Sequence, residues 1–289
     1  MLRIFPSGDA VNEAARQALR EAGYVERETA VIEWRYADGK SDRLPALAIE
    51  LSRLGLDALV TTGDLAIRAL RQATSTIPII AGSDDLVGEA HVASLAKPGG
   101  NVTGVSILAS ELNAKRLELL REFVPTATRI AVFWDPASGT FHLPALEATA
   151  HSLKIELRIL EIRSLQDLDR AFQQARAWRA HALNVLASAL LNSLRGPIVD
   201  RAARNRLPTI YQWPDTAAQG GLLAYGPTVL DFWRAMAAQL DRVLKGANPA
   251  SLPVVQPTRF QLVINLKTAG ALGMTIPPAL LRRTDEVIR

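Results

Sequence analysis

The sequence predicts an α/β fold of two doubly wound lobes, each built on a parallel sheet. Three observations carry this. Apolar runs of strand length alternate with segments of helical period along most of the chain, which is the pattern of βαβ units. The same order of elements starts afresh after Gly104. The last stretch of about 60 residues is too short for a third lobe of ordinary size.

The first lobe opens with Leu2–Phe5 as a strand and Pro6-Ser7-Gly8-Asp9 as a turn. Val11, Ala14, Ala15, Ala18, Leu19 and Ala22 then recur at helical spacing, and Gly23 closes the helix. Residues 30–36 (AVIEWRY) read as a second strand. Ser41 or Asp42 is placed to cap the next helix, which carries Leu44, Leu47, Ala48, Leu51 and Leu54. Residues 57–61 form a third strand, and Thr62-Gly63-Asp64 turns into the helix of Leu65, Ala66, Ala69, Leu70 and Ala73. Ile77 to Ala81 is a buried strand breaking into the turn Gly82-Ser83-Asp84-Asp85. Residues 98–104 (PGGNVTG) read as a second turn, the approach to a crossover.

In the second lobe, Leu112, Leu119, Leu120 and Phe123 mark a helix that ends near Pro125. Residues 129–134 (RIAVFW) form a buried strand broken by Asp135-Pro136-Ala137-Ser138-Gly139. A helix through Leu143, Leu146, Ala150 and Leu153 follows, then a strand at 155–162 and a helix through Leu165, Leu168, Phe172 and Ala175. The strand at 182–187 ends in Ser188, and a helix from about 194 to 204 leads to a strand at 208–211. Gly220-Gly221 precede the short strand 222–225. In the tail, Leu230, Trp233, Ala237, Leu240 and Leu244 form one amphipathic helix, followed by an extended 254–257, a strand at 260–265 and a short helix at 266–272. The expected division is 1–106 plus about 228–258 for the N-terminal lobe and 107–227 plus about 259–289 for the C-terminal lobe. Three crossovers form the hinge, with Tyr225-Gly226-Pro227 at one of them.

Composition excludes several classes. With 289 residues, 48% of them apolar, the chain can bury a large core, and no apolar run reaches the length of a membrane span. Its 33 basic and 29 acidic residues are interleaved, without the basic face of a nucleic-acid binder. It has no cysteine, so thiolate catalysis, disulfides and cysteine metal sites are ruled out. The four histidines, His91, His142, His151 and His181, show no metal-ligand spacing, so no metal or cofactor is expected. There is no G-x-S-x-G, P-loop or G-x-G-x-x-G, and the glycines of 99–104 lack the spacing and lysine of a phosphate cradle, so the chain does not read as an enzyme.

The candidate residues are those at the carboxyl ends of strands, where ligands bind in open α/β sheets. Pro6, Ser7, Thr62, Gly63, Asp64, Ser83, Asp84 and Asp85 form the first wall. Exposed amides after Thr62-Gly63 suit an anion, although Asp64 would repel one; the bland alternative is a plain helix cap. Asp84 and Asp85 either take a ligand's ammonium or hydroxyls, or cap a turn. The second wall is Trp134, Asp135, Ser138, Ser188, Tyr211 and Trp213. Trp134 either walls an apolar ligand or belongs to the core.

Several segments in one order carry a family likeness. They are RLPALAIELSRLGLDALVTTG, ATSTIPII, DLVGEAHVASLAKPGGNVTG, KRLELLREFVP, RLPTIYQW, AQGGLLAYGP, LPVVQPTRFQLVINLKTAGALGMTIPPALL and RTDEVI. From about Gly23 to Ile288 the chain resembles bacterial ABC transporter substrate-binding proteins of the tryptophan/tyrosine-type group. The resemblance implies a periplasmic-binding-protein type I-like fold of two Rossmann-like lobes with the ligand cleft between them. It also implies a periplasmic or extracytoplasmic protein whose signal peptide has been removed, a small-molecule ligand, an ABC permease in the membrane as partner, and a monomer. Members often carry Asp-Pro-Val-Gly where this chain has Asp85-Leu86-Val87-Gly88. They often place a small residue and a proline where it has Asp64-Leu65. The available aromatics point to an aromatic or apolar amino acid-like ligand, with a purine, a short-chain acid or a sugar as the alternatives. The second reading is the effector-binding domain of a lactose-repressor-type regulator, which shares the fold.

Overall fold

The computed structural model describes residues 1–3 and 10–289; Pro6 and Ser7 lie outside the described residues. The chain forms two compact units. One comprises Met1–Ile107 and Val229–Thr258, the other Leu108–Thr228 and Arg259–Arg289. The chain therefore passes from one to the other three times.

The first unit holds a five-stranded parallel sheet. Its strands are β1 (Leu2–Arg3), β2 (Arg35–Tyr36), β3 (Leu59–Thr62), β4 (Ile79–Ser83) and β5 (Val102–Ser106), in the order β2-β1-β3-β4-β5. Its helices are α1 (Ala10–Glu21), α2 (Leu44–Ser52), α3 (Asp64–Ala73) and α10 (Val229–Leu244). Side chains alternate across the strands. Leu59, Ile79, Ala81 and Val102 therefore meet Leu44, Leu51, Ile67 and Leu70 of α2 and α3 on one face. Each leucine, isoleucine or valine among them contributes about 1.5–3 kcal/mol by leaving water. Helices α1 and α10 pack together, and Leu19 and Trp233 from them lie around one small cleft with Val60.

Four local expectations are corrected here. Strand β2 is confined to Arg35–Tyr36 rather than 30–36, and Val31 is 84% exposed. Neither Ser41 nor Asp42 caps α2; both lie in a 3₁₀ turn, Ser41–Arg43, that runs straight into it. Gly82 and Ser83 are inside β4, not in a turn. Most consequentially, Val102–Ser106 is a full strand, β5, where 98–104 reads as a turn. Gly104 explains the misreading. It pairs with Ala81 at φ +142°, and a β-carbon there would lie 2.0 Å from the Ala81 carbonyl oxygen. Only glycine permits that approach, so this residue, usually a strand breaker, is a condition of the strand.

Strand β5 would be a bare edge without the tail. Val255 and Ser106 exchange backbone bonds along it: Val255 N–H donates to the Gly104 carbonyl at 2.9 Å and Ser106 N–H to the Val255 carbonyl at 2.9 Å. The Thr103 hydroxyl donates to the Leu252 carbonyl at 2.8 Å, and Gln239 Nε2 to the Pro253 carbonyl at 2.7 Å. Residues 229–258 thereby complete the first unit.

The second unit holds a seven-stranded sheet in the order β12-β11-β10-β9-β8-β6-β7. The strands are β6 (Arg129–Trp134), β7 (Glu156–Glu161), β8 (Ala182–Val185), β9 (Thr209–Tyr211), β10 (Leu223–Gly226), β11 (Gln261–Asn265) and β12 (Glu286–Ile288). Helices α4 (Ala109–Phe123) and α5 (Leu143–Ser152) cover one face through Leu117, Leu120, Phe123 and Leu146. Helices α6 (Asp167–Ala177) and α8 (Arg195–Arg204) cover the other through Leu168, Phe172 and Ile198. Short helices α7 (Ala189–Ser193), α9 (Asp215–Ala218), α11 (Leu266–Ala271) and α12 (Pro278–Leu281) join the elements. The sheet departs from purely parallel pairing once. Strands β10 and β11 are antiparallel, with Gly226 opposite Gln261. The chain leaves the unit after β10 and, on its return at Arg259, runs back along that strand.

A buried polar group joins α4 to this sheet. Asn113 Oδ1 accepts from Arg116 Nη1 at 2.6 Å and from the Ala187 N–H at 3.3 Å. Its amide nitrogen therefore donates to His142 Nδ1 at 3.2 Å, and the proton of the neutral ring sits on Nε2. Arg116, fully buried, also donates Nε to the Tyr225 carbonyl at 2.7 Å. Burial, reinforced by the Arg116 charge, pushes His142 down to about 4.

Two outcomes follow. Gly104→Ala should cost at least about 2 kcal/mol through overpacking against Ala81. Gly100→Ala, with open space around its β-carbon, should stay within about 0.5 kcal/mol; paired urea melts check both. For His142, the unfolded chain binds a proton below about pH 6.5 that the folded chain refuses until about pH 4. Its contribution is complete above pH 6.5 and is lost as pH falls toward 4, by on the order of 3 kcal/mol. Urea midpoints from pH 7 to 4 should fall less steeply in His142→Gln than in the unaltered protein.

Candidate functional site

In the first unit, strand order reverses between β1 and β3, since β2 follows β1 on one side and β3 lies on the other. Strand β3 delivers Thr62, half-buried, to the carboxyl edge beside that reversal. Gly63 then takes φ +87° to turn the chain into α3. Its N–H donates to the Gly82 carbonyl at 2.9 Å, and its carbonyl accepts the first helical bond, from Ile67, at 3.1 Å. Gly63 has no side chain to cap the helix. The amides of Asp64, Leu65 and Ala66 precede the helical ladder and form its positive end.

Asp64 does not point back at those amides as a capping carboxylate would. Its Oδ1 accepts from His91 Nε2 at 2.8 Å, and Arg68 Nε spans Oδ1 and Oδ2 at 2.9 and 2.8 Å. Glu89 Oε2 lies 3.4 Å from the same His91 nitrogen and accepts a hydrogen bond from the Ser83 hydroxyl. The His91 side chain is wholly buried and Asp64 is 10% exposed. Burial would lower the His91 pKa, but hydrogen bonds and charge from Asp64 and Glu89 more than reverse it, and the ring is held above its ordinary value. Arg71 Nη1 lies 3.4 Å from Nδ1, which opposes protonation. That contact is long, and Arg71 is better satisfied by the Ala90 carbonyl at 2.7 Å. Two carboxylates outweigh it. Burial raises Glu89, whereas for Asp64 the His91 and Arg68 bonds overcome burial and hold it low.

Asp64, Glu89 and His91 place their ligand atoms within 4.8 Å of one another, the donor types of a divalent-cation site. The chemistry favours a closed salt cluster. Nε2, the atom a cation needs, already donates to Asp64, and the guanidiniums of Arg68 and Arg71 lie against the group. Spacing along the chain hides this cluster, because Asp64 and His91 are 27 residues apart.

The remaining first-wall candidates divide. Ser83, buried at the end of β4, is engaged by Glu89 and accepts from the Asp85 N–H at 3.2 Å. Asp85 Oδ1 caps its own turn, accepting from Val87 and Gly88 N–H at 3.1 and 2.9 Å. Asp84 is half-buried between them.

In the second unit the reversal lies between β6 and β8, with β7 outside β6. Asp135 follows β6 and is buried. Its Oδ1 accepts from the Ala137 N–H at 2.9 Å, and its side chain also accepts from Ser188, which follows β8. Ser188 in turn caps α7, accepting from the Leu191 N–H at 2.9 Å. Burial pushes Asp135 up, against the pull of Ala137, Ser188 and the more distant Arg163. Thus Asp135 and Ser188 are brought together at the reversal. Ser138 is buried and donates to the Asp135 carbonyl at 2.7 Å. Trp134 is half-buried, packs against the core and donates Nε1 to the Gly139 carbonyl at 2.9 Å. Tyr211 is a core side chain bonded to Thr209, and burial drives its hydroxyl upward. Trp213 is buried in the loop before α9. Sequence reasoning missed Glu89, and it missed the partners of His91 and His142.

The chain can now be set beside known proteins. The sequence profile of the ABC transporter substrate-binding protein family matches residues 5–288. A tyrosine-binding protein of Clostridioides difficile is 25% identical over 273 residues, 93% of this chain and 78% of that protein. A conserved domain protein from Vibrio cholerae superposes with a TM-score of 0.91 at 26% identity, covering 99% of this chain and 97% of that one. A Streptococcus ABC domain solved in complex with L-Trp gives a TM-score of 0.90 at 24% identity, covering 99% and 98%. The fold is that of the periplasmic binding proteins. Family and fold together place the chain among solute-binding proteins rather than repressors: it belongs to the ABC transporter substrate-binding protein family.

Proposed function

We propose that this substrate-binding protein takes an aromatic amino acid. Membership of the family makes it an extracytoplasmic protein that delivers its ligand to an ABC permease. Among the described residues no helix is long and apolar enough to cross a membrane. The observation that carries the ligand class is the near full-length match to a protein named for tyrosine. The site chemistry supports it. The amide end of α3 after Gly63 suits a ligand carboxylate. Asp135, buried and raised by that burial, gains most from a ligand ammonium, which would relieve its desolvation. Thr62, Ser188 and Trp134 supply hydroxyls and one aromatic face. Asp84 and Trp213 keep their place as candidates, and Pro6 and Ser7 remain candidates outside the described residues.

Calorimetric titration and thermal melts with L-tryptophan, L-tyrosine and L-phenylalanine test this, against leucine, nucleobases and sugars. A ligand at one hundred times its dissociation constant stabilises by about 2.7 kcal/mol, a rise of several degrees. Stabilisation by another class with none from aromatic amino acids at millimolar concentration would overturn the reading. Asp135→Asn keeps an oxygen for Ala137 N–H but removes the charge. It should weaken binding of the true amino acid at least tenfold, about 1.4 kcal/mol, and leave the unliganded melting point nearly unchanged. Unchanged affinity would remove Asp135 from the site.

A further inference from the structure

We infer that His91 determines the charge the amino end of α3 presents to a ligand, by holding Asp64 away from it; this rests on the aromatic amino acid reading above. A carboxylate as the first residue of a helix is drawn to the helix's own leading amides and competes with any anion for them. In this chain the first residue of α3 is Asp64. By itself that carboxylate would close the amide end to a ligand carboxylate.

The geometry shows how that is avoided. Gly63 makes no side-chain cap, and the Asp64 carboxylate is turned onto His91 Nε2 at 2.8 Å and Arg68 Nε at 2.8 Å. The ring is buried and fixed by its backbone, with the His91 N–H on the Leu86 carbonyl at 2.9 Å and Arg71 on the Ala90 carbonyl at 2.7 Å. The same nitrogen faces Glu89 at 3.4 Å, so one imidazolium serves two carboxylates. Arg71 meets only the ring's other nitrogen, at 3.4 Å, and its nearer partner is the Ala90 carbonyl. Arg68 alone does not hold the pair, because its side chain is 55% exposed and bonds only Asp64. Without the ring, Asp64 and Glu89, whose ligand atoms lie within 4.8 Å of each other, lose the donor they share. Asp64 is then freed toward the leading amides of α3. The upward shift of His91 agrees with its facing two acids.

The test uses L-tryptophan and L-tryptophanamide, which differ in the carboxylate alone, with the full chain, His91→Leu, and His91→Leu combined with Asp64→Asn. Affinities come from calorimetry, and thermal melts record folding separately. The unaltered protein should prefer the free acid. His91→Leu should cut that preference at least tenfold, and adding Asp64→Asn should restore most of it. An equal loss for acid and amide in His91→Leu, or no recovery in the double variant, reduces His91 to a packing role and overturns the inference. If the unaltered protein binds both probes equally, no carboxylate is read at α3 and the inference fails alone. If it binds neither, the aromatic amino acid reading fails and takes the inference with it.

Discussion

The reversal of strand order in each sheet is the constraint on which the site depends. In the second unit α5, which follows β6, lies on one face of the sheet, and α8, which follows β8, lies on the other. Their connecting loops therefore part above β6 and β8, leaving the carboxyl ends of those strands uncovered by a helix. Asp135 and Ser188 sit on these ends. The first unit repeats the reversal between β1 and β3, and Thr62 and Gly63 sit there. Chemistry is placed by topology first and by side-chain choice second.

Much of the topology was legible because burial writes a period into the chain. Strand β6 could be read from RIAVFW since it is covered on both faces, Ile130 and Val132 on one and Ala131 and Phe133 on the other. Where a strand depends on a distant partner the signal fails. Strand β5 contains Gly104, whose need appears only when Ala81 is seen against it. The antiparallel β11 depends on where the chain returns, and β12 is a short pairing that β11 makes possible. The same rule divides the site residues. Thr62 and Asp135 could be named from their place at strand ends. That Asp64 is engaged by His91 could not, because a bond across 27 residues leaves no local pattern.

The two units bury polar groups in contrasting ways. The group around Asn113 is settled by hydrogen-bond direction: one amide fixes the tautomer of His142, and the histidine stays neutral. The group around His91 is settled by charge, with the imidazole pulled toward its cationic form by two acids. Buried ionic groups of the second kind add little stability over an apolar replacement of equal volume. The use inferred for this one, behind the amide end of α3, is to hold Asp64 off the leading amides.

An amino acid is a zwitterion, and its recognition needs two unlike partners that do not cancel each other beforehand. Two full charges about 5 Å apart interact by on the order of 3 kcal/mol at an effective dielectric of about 20, enough to decide which end of a ligand goes where. On the first unit Asp64, at the helix end, is engaged by His91 and Arg68, which turns its carboxylate from the leading N–H groups. On the second unit Asp135 is partnered by an amide and a hydroxyl, neither of which carries charge. If the proposed ligand's carboxylate is read at α3, release of Asp64 would set a like charge against it at that helix end.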